Sequence, residues 1–248
     1  MLVIVKPNYE ELSREAAAVV ASLVRQKPDC VLGFATGGTP IGTYKELIRL
    51  HREEGLDFSK VTTFNLDEYV GLPPSHPESY HYYMWENLFK HINVAPGSVY
   101  IPHGMADDVH GFCAWYEAKI TELGGIDLQL LGIGANGHIA FNEPGSSLGS
   151  RTRIKTLSEK TILDNARFFS EGEAVPRYAI TMGVGTIMEA RQLLLLASGR
   201  GKADAIRATV EGPITARYPA TIVQMHRFAT IVVDDEAASA LQGTYAGF

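Results

Sequence analysis

The sequence predicts an α/β fold: a single domain with a mainly parallel open sheet flanked by helices, doubly wound in the Rossmann-like manner. Three observations predict it. Short apolar runs such as "CVLGFA", "IDLQLLGI" and "QLLLLAS" lack polar alternation, as strands buried on both faces require. Amphipathic stretches with helical spacing separate them, so strands and helices alternate from end to end. A chain of 248 residues, 46% hydrophobic and 20% charged, suits one large domain with a substantial core.

In order, "LVIV" reads as a strand and "YEELSREAAAVVASLVRQ" as an amphipathic helix. "CVLGFA" is a buried strand, followed by a helix from Pro40 to about Glu54 that Gly55 stops. "VTTFNL" is a third strand, followed by a Pro-rich loop and the aromatic helix "SYHYYMWENLFKHI". "VYIP" is a short strand, "HGFCAWYEAKITEL" a helix and "IDLQLLGI" a buried strand. Residues 146–177 lack periodicity and are rich in Arg, Ser and Thr, which suits a lid or an insertion more than a second domain. "QLLLLAS", the helix "KADAIRATVEG" and "TIVVD" complete the pattern.

The net charge of -6 and the lack of a Lys/Arg-rich tract argue against a nucleic-acid partner. The N-terminal run stops at Lys6-Pro7, too short for a signal peptide or a membrane span, and no run elsewhere is long enough. Cys30 and Cys113 sit in apolar surroundings without metal-ligand spacing, which fits reduced core residues of a cytoplasmic protein.

Ligands of open parallel sheets bind outside the carboxyl ends of the strands. Four strand ends here carry polar or glycine-rich loops. In "ATGGTPIGTY", Thr36, Gly37, Gly38 and Thr39 form a loop suited to an anion, with Thr39 a candidate N-cap and Pro40 at the first helical position. In "FNLDEYVGL", Asp67 and Glu68 follow directly on an apolar strand, where a carboxylate caps a turn or acts as a base.

In "LLGIGANGHIAFNEPG", Gly132, Gly134 and Gly137 match G-x-G-x-x-G. A dinucleotide site needs a long helix to start there, yet Pro144 would end one within two turns, so the glycines make a loop. That loop carries Asn136, His138 and Glu143, a candidate acid–base set. Its spacing is not that of a metal site. "LLASGRGKADAIR" resembles a P-loop but has Leu196 where that pattern needs Gly and Ala203 where it needs Ser or Thr; Lys202 remains placed to hold a phosphate. Two anion-holding loops and two acid–base loops imply a phosphorylated small substrate and proton transfer.

These blocks, with "SYHYYM", "SRTRIKTL", "NARFF" and "YAITMGVGTI", resemble the glucosamine-6-phosphate deaminase (glucosamine-6-phosphate isomerase) family over nearly the whole chain. The resemblance implies conversion of glucosamine 6-phosphate and water into fructose 6-phosphate and ammonia, with no cofactor and no metal. It implies that Asp67 moves a proton between C2 and C1 of the open-chain sugar, and that His138, beside Asn136 and Glu143, opens the ring. The phosphate would be held by the loop at 36–39, Arg167 of "NARFF" and Lys202.

Two departures stand out. Many family members have Asp where this chain has Asn136, which leaves Glu143 to favour a charged His138. The chain stops at "GTYAGF", shorter than the hexameric, allosterically activated members, although Ser147, Arg153 and Lys155 match their activator-site pattern. Hyperbolic kinetics without activation by N-acetylglucosamine 6-phosphate is therefore expected, and monomer or homo-oligomer stays open. Two other readings remain: a 6-phosphogluconolactonase-like hydrolase, against which "NLDEYVGL" argues, and a sugar-phosphate sensor domain. The sensor would carry a helix-turn-helix segment, for which the chain has no room before its first strand.

Overall fold

The computed structural model describes residues 1–166, 169 and 174–245. Its large sheet has seven strands in the order β1-β10-β9-β6-β2-β3-β5. They are β1 (Leu2–Lys6), β2 (Val31–Phe34), β3 (Thr62–Asn65), β5 (Val99–Tyr100), β6 (Leu128–Gly132), β9 (Leu193–Ala197) and β10 (Ala229–Asp234). All pairings in it are parallel. A smaller antiparallel sheet, in the order β4-β8-β7, contains β4 (Asp67–Tyr69), β7 (Arg153–Thr156) and β8 (Tyr178–Thr181).

The helices are α1 (Tyr9–Gln26), α2 (Ile41–Glu54), α3 (Tyr80–Asn87), α4 (Val109–Glu122), α5 (Glu159–Ala166), α6 (Val184–Met188), α7 (Ala203–Glu211) and α8 (Asp235–Ala238). Helix α1 follows the sequence reading. Asn8 caps it by accepting from the Glu11 amide at 2.9 Å, and Leu12, Ala16, Val20 and Val24 bury one stripe against the sheet. Each buried Leu or Val of that stripe contributes roughly 1.5–3 kcal/mol. All five residues of β9 are buried, which explains its unbroken apolar run.

The structure differs from the sequence reading in several places. The aromatic helix ends at Asn87, and a 3₁₀ turn over Phe89–His91 follows. The Asn87 side-chain amide donates to the Tyr83 carbonyl at 2.8 Å, an alternative to the helical ladder at its last turn. Thr39 does not cap α2. Pro40 takes the cap position with right-handed helical dihedrals, and no side chain of the cap residue bonds the first amides. The aperiodic stretch at 146–177 contains β7 and α5, and β7 pairs with β8, so part of it is woven into the smaller sheet.

The order of strands fixes where a ligand fits. From β2 the chain moves outward to β3 and β5, then returns to lay β6 against the other side of β2 before building outward through β9 and β10. Loops after β2 and β6 therefore diverge and open a crevice at the carboxyl edge. Leu66 joins the two sheets: its amide donates to the Phe34 carbonyl at 3.2 Å, and its carbonyl accepts from Met182 at 2.7 Å. That single residue turns the chain from β3 into β4 at the rim of the crevice.

Candidate active site

The crevice holds a cavity of about 430 Å³. All four loops singled out in the sequence reach it: Thr36, Gly37, Gly38 and Thr39 after β2, Asp67 after β3, His138 after β6 and Lys202 after β9. Asn136 and Glu143 stand behind His138 rather than in the cavity wall. Arg167 lies outside the described residues. Arg153 and Lys155 lie on β7, and Ser147 is exposed.

The adjacent carboxylates Asp67 and Glu68 separate because side chains alternate along a strand. Asp67 is 6% exposed and faces the cavity. Burial, and then the neighbouring Glu68 charge, push its pKa up to about 8. Glu68 points away and accepts from the amides of Tyr69, Tyr80 and His81 at 2.9, 2.9 and 3.0 Å. It thus serves the first turn of α3, where amides are otherwise without partners. One carboxylate is a base candidate; the other is a helix support.

The glycines after β6 build a loop around a histidine. No helix starts there; the chain makes turns and the isolated bridge Ile139–Asn142. At Gly134 the loop folds back so closely that a Cβ would lie 2.2 Å from His138 Cε1. Gly137 has φ +80, which side chains rarely tolerate. Ala140 adopts φ 50 and lines the cavity, a conformation that costs a residue with a Cβ about 1–2 kcal/mol. Asn142 holds the loop down: its side-chain amide donates to the Ile139 and Met182 carbonyls at 3.0 and 2.8 Å.

His138 Nδ1 lies 3.9 Å from Glu143 Oε2. Asn136 joins the two residues, donating its amide to that carboxylate oxygen at 2.9 Å and accepting from the His138 backbone amide at 3.2 Å. The other carboxylate oxygen takes the Thr161 hydroxyl and, at 3.3 Å, the Ser158 hydroxyl. Three donors therefore hold the Glu143 carboxyl group in place beside the imidazole.

Lys202 closes a 3₁₀ turn at the start of α7. Its loop is tied down by Asp234 at the end of β10, which accepts from the Gly199 amide at 3.0 Å, the Ser198 hydroxyl at 2.5 Å and the Ala237 amide at 2.8 Å. Tyr80, whose pKa burial raises well above its usual value, and Thr161 also line the cavity. Neither was singled out from the sequence. Tyr80 is hidden among the aromatic residues of α3, and Thr161 in an aperiodic stretch. Among the described residues no three of His, Cys, Asp and Glu converge as metal ligands. No described helix is long and apolar enough to cross a membrane.

A profile of the family described as glucosamine-6-phosphate isomerases/6-phosphogluconolactonase matches residues 7–232. The chain is 54% identical over 239 residues to glucosamine-6-phosphate deaminase of Thermoanaerobacter sp. (strain X514), covering 96% of this chain and 94% of that one. Among solved structures, a monomeric glucosamine-6-phosphate deaminase matches with a TM-score of 0.94 and 49% identity, over 97% of this chain and 100% of that chain. The 6-phosphogluconolactonase from Trypanosoma cruzi shares the fold at a TM-score of 0.75 and 21% identity, over 98% of this chain and 97% of that chain. The matched span takes in every loop of the crevice, and by that match the chain belongs to the glucosamine-6-phosphate isomerase/6-phosphogluconolactonase family.

Proposed function

We propose that the chain is an enzyme that converts glucosamine 6-phosphate and water into fructose 6-phosphate and ammonia, working as one domain in the cytoplasm. The observation that carries the reading is that Asp67 and His138 face the same cavity as an anion-suited glycine loop. A lactone hydrolase needs no base over a C–H bond; an aldose–ketose shift does.

The chemistry divides between these groups. His138, supported by the Glu143 charge, moves a proton from the anomeric hydroxyl to the ring oxygen and opens the sugar. Ionised Asp67 removes the proton from C2 of the open chain while the substrate ammonium passes a proton to O1, leaving a 1-enol-2-amine, and Asp67 returns its proton to C1. The resulting C2 iminium takes up water and releases ammonia, which balances the reaction. A substrate ammonium near Asp67 favours its ionised form, offsetting the burial that raises its pKa. The loop at 36–39 and Lys202 hold the phosphate, with Arg167 as a third proposed contact, so that the reacting carbons meet these groups.

The test is release of ammonia and fructose 6-phosphate from glucosamine 6-phosphate by the intact chain and by Asp67→Asn. Equal amounts of both products, with turnover in the variant down roughly 10²–10⁴-fold, support the reading. Hydrolysis of 6-phosphogluconolactone without deamination overturns it in favour of the hydrolase. Binding of the sugar phosphate without turnover overturns it in favour of a sensor.

A further inference from the structure

Two tyrosines outside the cavity grip the loop at 37–39 from behind. The Tyr83 hydroxyl, on α3, donates to the Gly37 carbonyl at 2.5 Å. The Tyr9 hydroxyl, on the first turn of α1, lies 3.0 Å from the Thr39 carbonyl and 3.2 Å from the Gly38 carbonyl, and shares its proton between them. Its oxygen accepts from the Gly42 amide at 2.7 Å, in the first turn of α2. Tyr9 thereby supplies the hydroxyl cap that Thr39 does not.

A trans peptide is planar, and its carbonyl and amide point to opposite sides. Holding the Gly37 carbonyl on the α3 side turns the Gly38 amide the other way, and holding the Gly38 carbonyl does the same for the Thr39 amide. Gly37, Gly38 and Thr39 line the cavity. Among the described residues, neither the Gly38 nor the Thr39 amide donates to another group. Glycine backbone fluctuates more freely than any other. A loop of two glycines therefore aims its amides at a ligand only when its carbonyls are tied.

We propose that Tyr9 and Tyr83 are positioning residues that aim the Gly38 and Thr39 amides at the phosphate of the substrate, acting through the loop carbonyls without touching the ligand. The inference rests on the deaminase reading above, which assigns the phosphate to this loop. It gives helix α1, none of whose residues lines the cavity, a part in substrate affinity.

The experiment compares Tyr9→Phe, Tyr83→Phe and the double variant with the unmodified chain. Tyr82→Phe is the control, a neighbouring residue on α3 that is 40% exposed. Each is assayed for KM and kcat with glucosamine 6-phosphate, for competitive inhibition by inorganic phosphate, and for Tm. One lost hydrogen bond raises KM and the phosphate inhibition constant together by roughly two- to tenfold, with kcat changed by less than about twofold. The double variant exceeds either single one, and Tyr82→Phe leaves both constants unchanged. Unchanged KM and phosphate inhibition in the double variant overturn the proposal while leaving the deaminase reading intact. A drop in Tm with kcat falling and the phosphate constant unmoved also overturns it, as a purely structural role. Absence of both turnover and phosphate inhibition in the unmodified chain removes the deaminase reading itself, and the proposal with it.

Discussion

Asn136 donates its side-chain amide to Glu143 Oε2 at 2.9 Å, and the same oxygen lies 3.9 Å from His138 Nδ1. The Asn thus serves the carboxylate rather than the imidazole side chain. It contributes no charge of its own, and Glu143 remains the anion beside the histidine.

Glu143→Gln removes that anion while keeping the shape. The expected loss in kcat is at least tenfold and below the roughly 10²–10⁴-fold that general acid–base catalysis supplies in total. An unchanged rate would remove Glu143 from the mechanism.

Asp67 makes a second case, in which stability and activity pull against each other. Above 3.8 the unfolded chain releases this proton, whereas the folded chain keeps it up to about 8. Stability therefore falls as pH rises across that window and is level above it. Asp67→Asn removes the penalty, so the variant gains more Tm at pH 9 than at pH 5. A gain of about 1–3 kcal/mol at the higher pH corresponds to roughly 2–12 °C for a chain of this size. The same variant loses the proposed catalytic base. A Tm difference independent of pH would show that Asp67 ionises freely in the folded chain.

Gly134→Ala tests why the loop needs its glycines. The added Cβ would lie 2.2 to 2.5 Å from three imidazole atoms of His138, so the ring must move. The expected result is a fall in kcat of tenfold or more with a Tm loss of only a few degrees, since the clash is relieved by displacing a side chain at the cavity edge. Retained kcat would mean that His138 acts from another position than the one it holds here.

Much of this was readable in the sequence because the large sheet is buried on both sides, so β2, β6 and β9 show as unbroken apolar runs, and the edge loops follow from the alternation with helices. The smaller sheet was not readable. β4 has three residues and opens with two carboxylates, and β7 is partly exposed with charged side chains, so neither has a strand's pattern. The separate fates of Asp67 and Glu68 depend on the turn at Leu66, a tertiary event. Tyr9, Tyr83 and Asp234 act on loops distant from them in sequence, and local spacing carries no trace of that.

Asp234 illustrates the cost of such a distant tie. It is 5% exposed, caps α8 through the Ala237 amide, and receives the Gly199 amide and the Ser198 hydroxyl from the loop that ends at Lys202. Asp234→Ala removes a helix cap and leaves the loop amide without its acceptor, for an expected loss of about 2 kcal/mol, or roughly 4–8 °C in Tm. If Lys202 holds the phosphate as proposed, it then loses its fixed place in the cavity wall, and KM is expected to rise more than kcat falls. Asp234→Asn keeps one acceptor oxygen and lies between the two. If Asp234→Ala lowers Tm and leaves KM unchanged, the turn from Gly199 to Lys202, closed by its own 3.0 Å backbone bond, holds the lysine without help from β10.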